Sequence, residues 1–262
     1  MSAGLHGRHA VVTGGGRGIG AVIARALAAS GARVTLIART AAAVEETAQA
    51  LRSRFNANAR GIAGDVANPA DVKRAFEEAV GASGTVQILV NNAGQAREAE
   101  AFETISLDTW DRLIAVNLTG TMLCTQQVLP AMRAAGAGRI VNIASTAGLR
   151  GYPGLAPYCA SKHGVIGLTR ALAAETASSG ITVNAVCPGY TEGTEMFSMA
   201  VENVMRTRRT SADEARALLA KHSPRRTPIT PQEVADTVVW LCSAAATAIT
   251  GQAIAVAAGE VM

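Results

Sequence analysis

Apolar residues along this chain fall into short β-branched runs separated by longer stretches with helical spacing. His9–Thr13 (HAVVT) is the first run, and it leads into the glycine-rich Gly14–Gly20. The segment IGAVIARALAASG then predicts a helix ending near Gly31, and Arg33–Ala38 predicts a second strand. Ala41–Phe55 carries Val44, Ala48, Leu51 and Phe55 at helical spacing. ARGIAGDV supplies a third strand ending before Asp65, and Asn68-Pro69 opens the next helix with proline at its first position. Val86–Val90 predicts a fourth strand, Ser106 to Ala135 a long helical region, and Gly138–Ser145 a fifth strand. Helix is predicted over Pro157–Ser179, strand over Ile181–Gly189, a mobile helical excursion over 194–222, helix over Pro231–Ser243, and strand over Gly251–Val256.

Such alternation predicts an α/β fold, a doubly wound parallel sheet with helices on both faces. No repeat, low-complexity block or linker interrupts it, so 1–262 reads as one domain. Ligands of such sheets bind beyond the carboxyl ends of the strands. Gly14–Gly20, Asp65, Asn91–Gly94, Ser145 and Pro188–Thr191 all fall at those ends. Their convergence predicts one shared site.

Composition narrows the classes. Hydrophobic residues make up 49% and charged residues 17%, which excludes disorder and suits a covered sheet. The net charge is +4, almost all of the basic side being arginine, with no dense basic run. The pI of about 9.1 raises a nucleic-acid-binding module as a rival class. Only 3% aromatic residues and the lack of a basic stripe argue against it. Cys124, Cys159, Cys187 and Cys242 show no metal spacing and read as reduced, buried thiols. The start of the chain lacks a charged segment followed by an apolar one, and no apolar run reaches the roughly 20 residues of a membrane span. A soluble cytoplasmic protein is expected.

The glycine loop offers the first chemistry. Thr13–Gly20 reads TGGGRGIG between a strand and a helix, where backbone amides can approach a pyrophosphate. A dinucleotide lacking a 2′-phosphate usually meets an acidic residue about 20 residues further on. Here that place reads Ala38-Arg39-Thr40. Arg39, with Arg17 inside the loop, offers guanidinium groups to a 2′-phosphate, so NADP(H) is preferred and NAD(H) is the alternative. Asp65 suits either an adenine amino group or a helix-capping turn.

Tyr158 and Lys162 stand four residues apart on one predicted helix face. An ammonium beside a phenol stabilises the phenolate, so the spacing predicts a lowered tyrosine pKa and a general acid/base. Ser145, ending the fifth strand, can hydrogen-bond a substrate oxygen. Asn117 lies inside the long helical region although asparagine is a poor interior helix former. It reads either as a kink with a water-binding carbonyl that feeds protons to Lys162, or as a satisfied polar residue packed against a loop.

Together TGGGRGIG, Asp65, Asn91-Asn92-Ala93-Gly94, Asn117, Ser145, Tyr158-Cys-Ala-Ser-Lys162 and Pro188-Gly189 resemble the classical short-chain dehydrogenase/reductase family over nearly the whole chain. The resemblance implies a seven-stranded Rossmann sheet and a catalytic tetrad of Asn117, Ser145, Tyr158 and Lys162. It implies that Lys162 also holds the nicotinamide ribose. The cofactor would be lined by Gly14, Gly16, Arg17, Gly18, Ile19, Gly20, Arg39, Asp65, Val66, Asn91, Ala93, Gly94, Tyr158, Pro188 and Gly189, with Thr191 on the carboxamide. Arg17 and Arg39 match the NADP-preferring branch, and a homotetramer is the family expectation. Where relatives read close to I-N-V-D-G-G, this chain reads Ile254-Ala-Val-Ala-Ala-Gly259, which loses two polar side chains.

The substrate side is less specific. Residues 193–223 are expected to form a lid, rich in Arg206, Arg208, Arg209 and Arg216. Gln95, Thr146, Ala147, Tyr152 and Met196, with Ser145 and Tyr158, are expected to face the substrate. The expected reaction interconverts a ketone and a secondary alcohol, with a 3-oxoacyl thioester as candidate substrate. The alternatives are an NAD-dependent alcohol or 3-hydroxyacyl-CoA dehydrogenase, and a non-catalytic NADP-binding sensor or scaffold.

Overall fold

A computed structural model describes residues 4–261 of the chain. Seven parallel strands form one sheet in the order β3-β2-β1-β4-β5-β6-β7. They are β1 (His9–Thr13), β2 (Arg33–Ala38), β3 (Ala59–Ala63), β4 (Ile88–Asn91), β5 (Gly138–Ile143), β6 (Ile181–Pro188) and β7 (Ala253–Val256). The order reverses between β1 and β4, which opens a crevice beyond the strand ends there.

Alternation along β1 shows why both faces are covered. Ala10 and Val12 join one core with Ile23, Leu27, Leu36 and Leu241, while Val11 joins the other with Ile37, Phe76, Val128 and Met132. Each fully buried aliphatic side chain contributes about 1.5–3 kcal/mol. The first face is covered by α1 (Gly18–Ala29), α2 (Ala41–Phe55) and α9 (Pro231–Cys242). The second is covered chiefly by α3 (Pro69–Ser83) and α5 (Gly120–Ala135), with α6 (Ala156–Thr176) beside them. Asn68 caps α3 by accepting from the amides of Ala70 and Asp71, with Pro69 at the first position as predicted.

Three differences from the sequence expectation matter. The helical region from Ser106 is divided: α4 (Leu107–Ile114) passes through a π-turn at Ala115–Thr119 before α5 begins. Asparagine at 117 predicts this break, because its side chain bonds outside the helix. β4 starts two residues later than the apolar run and takes in Asn91. Residues 194–222 fold into α7 (Glu195–Arg208) and α8 (Ala212–Ala220), which pack on each other through Phe197, Val201, Ala215 and Leu219. Among the described residues no helix is long and apolar enough to cross a membrane. The reading of the chain start rests in part on residues 1–3, which lie outside the described residues.

Candidate active site

The glycine loop is built from backbone that side chains would obstruct. Gly14 has φ +65, and a Cβ there would lie 2.8 Å from Asn92 Nδ2. A Cβ on Gly20 would lie 2.3 Å from the Gly14 carbonyl oxygen. Asn92 clamps the loop from the neighbouring strand end, donating to the carbonyls of Thr13 at 2.9 Å and Gly14 at 3.1 Å. Thr13 Oγ1 accepts from the amides of Asn92 and Ala93 at 3.0 and 3.1 Å. Thr13 and Asn92 thus shape the site although neither residue type by itself signals a role. Their positions inside TGGGRGIG and Asn91–Gly94 were the available signal. The first turn of α1 has no side-chain cap and no acidic residue, which suits an anion.

The two basic candidates differ. Arg17 is exposed and pairs with Glu195, in the first turn of α7, at 2.6 Å. Arg39 is exposed and pairs with no carboxylate among the described residues. Its guanidinium instead faces the Gln95 amide, and with that amide oriented so that its oxygen is toward the guanidinium the distances are 3.2 and 3.1 Å. This corrects Gln95: the side chain lies toward Arg39, on the dinucleotide side. Asn117 grips the Gln95 backbone at both N and O, at 2.8 and 2.9 Å, which fixes the loop that carries this side chain.

Other candidates are turned from the expected direction by bonds of their own. Asn91 Nδ2 donates inward to Thr125 and Asn142 at 3.1 and 2.9 Å, while its Oδ1 is buried without a partner among the described residues. Asp65 accepts from Ala67 N at 2.9 Å and pairs with Arg112 at 3.2 Å, the geometry of a turn and not of a free adenine acceptor. Thr146 bonds Tyr152 at 2.8 Å, and Tyr152 donates to Glu260, so neither hydroxyl faces a substrate. Thr191 Oγ1 donates back to the Gly189 carbonyl at 2.9 Å. Val66 is buried against Gly120, and Ile19 packs on the first core.

Asn117, Ser145, Tyr158 and Lys162 come together. Ser145 lies two residues past β5, at the start of the turn Thr146–Gly148, and its Oγ accepts from Ala147 N at 3.1 Å, which leaves its proton for the Tyr158 phenol oxygen. Tyr158 and Lys162 rise on the first two turns of α6, both buried. Lys162 Nζ donates to the Ile143 carbonyl at 2.8 Å and lies 5.8 Å from the centre of the Tyr158 ring. A Cβ built on Gly94 would be 3.4 Å from both Lys162 Nζ and Asn117 Oδ1, so the Asn91–Gly94 turn passes directly over them. Asn117 Nδ2 donates to Ser161 Oγ at 3.0 Å, and Ser161 in turn donates to the Tyr158 carbonyl at 2.7 Å. The asparagine side chain therefore ties the π-turn to α6 and to the Gln95 loop. Its carbonyl accepts from Thr121 Oγ1 at 2.9 Å. Met196 of α7 reaches the phenol from above, its sulfur 3.7 Å from the oxygen.

One electrostatic expectation is reversed. The i, i+4 spacing predicts a phenol drawn down by its lysine. Burial instead pushes Tyr158 up to about 12, with the Ser145 hydrogen bond pulling the other way. Burial also pushes Lys162 down to about 8. Desolvation disfavours the charged form of each, and the ammonium is directed at Ile143 rather than at the phenolate oxygen.

The site's geometry and the strand order have counterparts among known proteins. The short chain dehydrogenase family model matches residues 8–204, and the chain belongs to that family. It is 39% identical to the 2-(S)-hydroxypropyl-CoM dehydrogenase 3 of Xanthobacter autotrophicus, over 99% of this chain and 98% of that protein. It is 36% identical to the 3-oxoacyl-[acyl-carrier-protein] reductase FabG of Aquifex aeolicus, over 99% of both. The crystal structure of a variant actinorhodin polyketide ketoreductase with NADPH superposes with a TM-score of 0.92 at 40% identity, covering 97% of each chain.

Proposed function

We propose that this chain is an NADPH-dependent reductase that converts a ketone, of the 3-oxoacyl thioester class, to a secondary alcohol. One observation carries the reading: buried Tyr158 and Lys162 and half-buried Ser145 gather at the same end of the sheet that holds the glycine loop and Arg39. The residues present fit a dinucleotide phosphate. A Cβ at Gly14 or Gly20 would clash with Asn92 and with the loop's own backbone, so glycine lets the loop fold tightly at the start of α1, whose first turn has no acidic residue and no side-chain cap. Gly16, Gly18, Ile19 and Gly20 bring backbone to the pyrophosphate, and Arg17 and Arg39 hold the 2′-phosphate. Val66 and the turn at Asp65 flank the adenosine half, the Asn91 backbone, Ala93 and Gly94 line the dinucleotide on the way to Lys162, and Pro188, Gly189 and Thr191 line the nicotinamide half.

When bound, the nicotinamide supplies the hydride. The chain's own groups handle the proton. Burial keeps Tyr158 protonated at neutral pH, so it stands as general acid to an oxygen gaining charge. Ser145 offers a second donor to that oxygen, in a dry site where such a bond is strengthened. Lys162 places a positive charge beneath the phenol as it loses its proton and reaches for the ribose. Asn117 fixes the Gln95 loop and α6 in register. A substrate oxygen can approach Tyr158 only when Met196 yields its place. That assigns residues 193–223 the role of a lid, with Met196 and Ala147 facing the substrate. Arg39 favours NADPH over the NAD-linked oxidative reading. The relatives named for acyl and ketone reduction support the substrate class, and a cytoplasmic homotetramer accompanies the reading.

The test is NADPH consumption across a panel of simple ketones and of 3-oxoacyl thioesters of coenzyme A and of a carrier protein. Thioester reduction with NADPH favoured over NADH is expected. Tight NADPH binding with no turnover on any carbonyl would overturn the reading in favour of a sensor.

A further inference from the structure

The segment after β7 turns inward and inserts a carboxylate into the molecule. Ala258 has φ 51 and Gly259 φ 88, two consecutive left-handed residues. An alanine adopts that conformation only where its surroundings hold it there. The turn delivers Glu260, whose side chain is 2% exposed. A buried charge persists when it is paired and hydrogen-bonded, and this one is. Arg150 Nη2 lies 3.1 Å from Glu260 Oε1, and its guanidinium stacks 4.6 Å over the Tyr152 ring. The Tyr152 hydroxyl donates to the same carboxylate oxygen. With its single proton so committed, the Tyr152 oxygen accepts from Thr146 Oγ1 at 2.8 Å. On the opposite side, a Cβ on Gly189 would lie 2.7 Å from Glu260 Oε2. One carboxylate is thus wedged between the turn after β5 and the turn after β6.

The proton and hydride chemistry uses none of Arg150, Tyr152 and Glu260, yet their chain of bonds ends beside it. Thr146 follows Ser145 directly, and the next amide, Ala147 N, holds Ser145 Oγ. The Tyr152 ring packs on the cluster of Ala147, Tyr158 and Cys159. We propose that Glu260 is a positioning residue: through Tyr152 and Thr146 its carboxylate fixes the turn that carries Ser145 and sets the spacing between Ser145 and Tyr158. This rests on the reductase reading. A misplacement of about 1 Å by a remote residue can lower turnover by on the order of 10²-fold, so a partly loosened turn is expected to lower it by about tenfold.

The experiment measures kcat, KM and NADPH affinity for wild type, Glu260→Gln, Tyr152→Phe and the double variant, with turnover normalised to NADPH-binding sites. Glu260→Gln keeps the shape but leaves Arg150 without its counter-charge, and Tyr152→Phe cuts the relay while leaving the ion pair. Each single variant is expected to lose about tenfold in kcat with NADPH affinity and KM changed less than about twofold. The double variant is expected to be no worse than the worse single one, the signature of a shared relay. Unchanged kcat per binding site, even with a lowered melting temperature, would overturn the proposal. If Glu260→Gln does not fold, Tyr152→Phe decides by the same criteria. A wild type inactive on every carbonyl would instead strike the reductase reading itself.

Discussion

The two ends of the sheet both bury polar side chains, and they use them differently. At the amino end, His9 opens β1 with a fully buried ring whose Nδ1–H donates to the Gly84 carbonyl at 2.7 Å and whose Nε2 accepts from Thr35 at 2.9 Å. Arg139 opens β5 and donates to the carbonyls of Gly138 and Gly180 at 2.9 and 3.4 Å. These bonds run within the fold. At the carboxyl end, the phenol of Tyr158 meets, among the described residues, only Ser145 and the weakly accepting sulfur of Met196. Buried polar groups are normally matched by protein partners. Arg139 Nε finds no partner among the described residues, yet the polar groups of the amino end point into the fold, whereas those around Tyr158 face the crevice, and that end is the one shaped for a ligand.

Ser145→Ala should break this contrast most strongly. It removes a donor from the oxygen being reduced, and kcat/KM should fall about 10²–10³-fold with NADPH affinity kept. Steady-state kinetics beside a binding titration check it. Arg39→Ala should lower kcat/KM with NADPH by about 10–100-fold, since a hydrogen bond to a charged group contributes about 1.5–3 kcal/mol. Efficiency with NADH should hardly move. Equal losses with both cofactors would remove the 2′-phosphate assignment.

The pH dependences of the two ends should separate as well. Lys162 is pushed down to about 8 by burial, so reductive turnover should decline as pH rises through that value and the ammonium is lost. A profile flat across it would mean the charge plays no part. At the amino end, burial holds the folded-state pKa of His9 below the ordinary 6.5. The unfolded chain then binds the proton first as pH falls. The stability contributed by the neutral ring is complete above 6.5 and is lost as pH drops below it. His9→Gln should cost about 1 kcal/mol, a typical net hydrogen bond, and leave kcat unchanged. Urea unfolding at neutral and mildly acidic pH measures both effects.

The sequence made the framework legible because sheet strands repeat a short apolar pattern and loops announce themselves with glycine, asparagine and proline. Asn117 was readable in the same way, since its poor fit in a helix marks the π-turn. Side-chain directions were not. Gln95, Thr146 and Tyr152 sit where a substrate residue would, but partners distant in sequence turn them elsewhere, namely Arg39 and Glu260. The Tyr158 pKa failed for a related reason. Four-residue spacing shows that a lysine is near, while burial, which outweighs it, depends on every element packed around α6. The loss of polar residues at Ala257-Ala258 was visible; that the same turn drives Glu260 inward was not.

Tyr158→Phe tests the proton-donor assignment most directly, because it deletes one oxygen from a buried ring and little else. With NADPH affinity measured beside turnover on the best thioester or ketone, the variant should bind the cofactor as wild type does and lose at least about 10²-fold in kcat. Wild-type turnover by this variant would contradict the account.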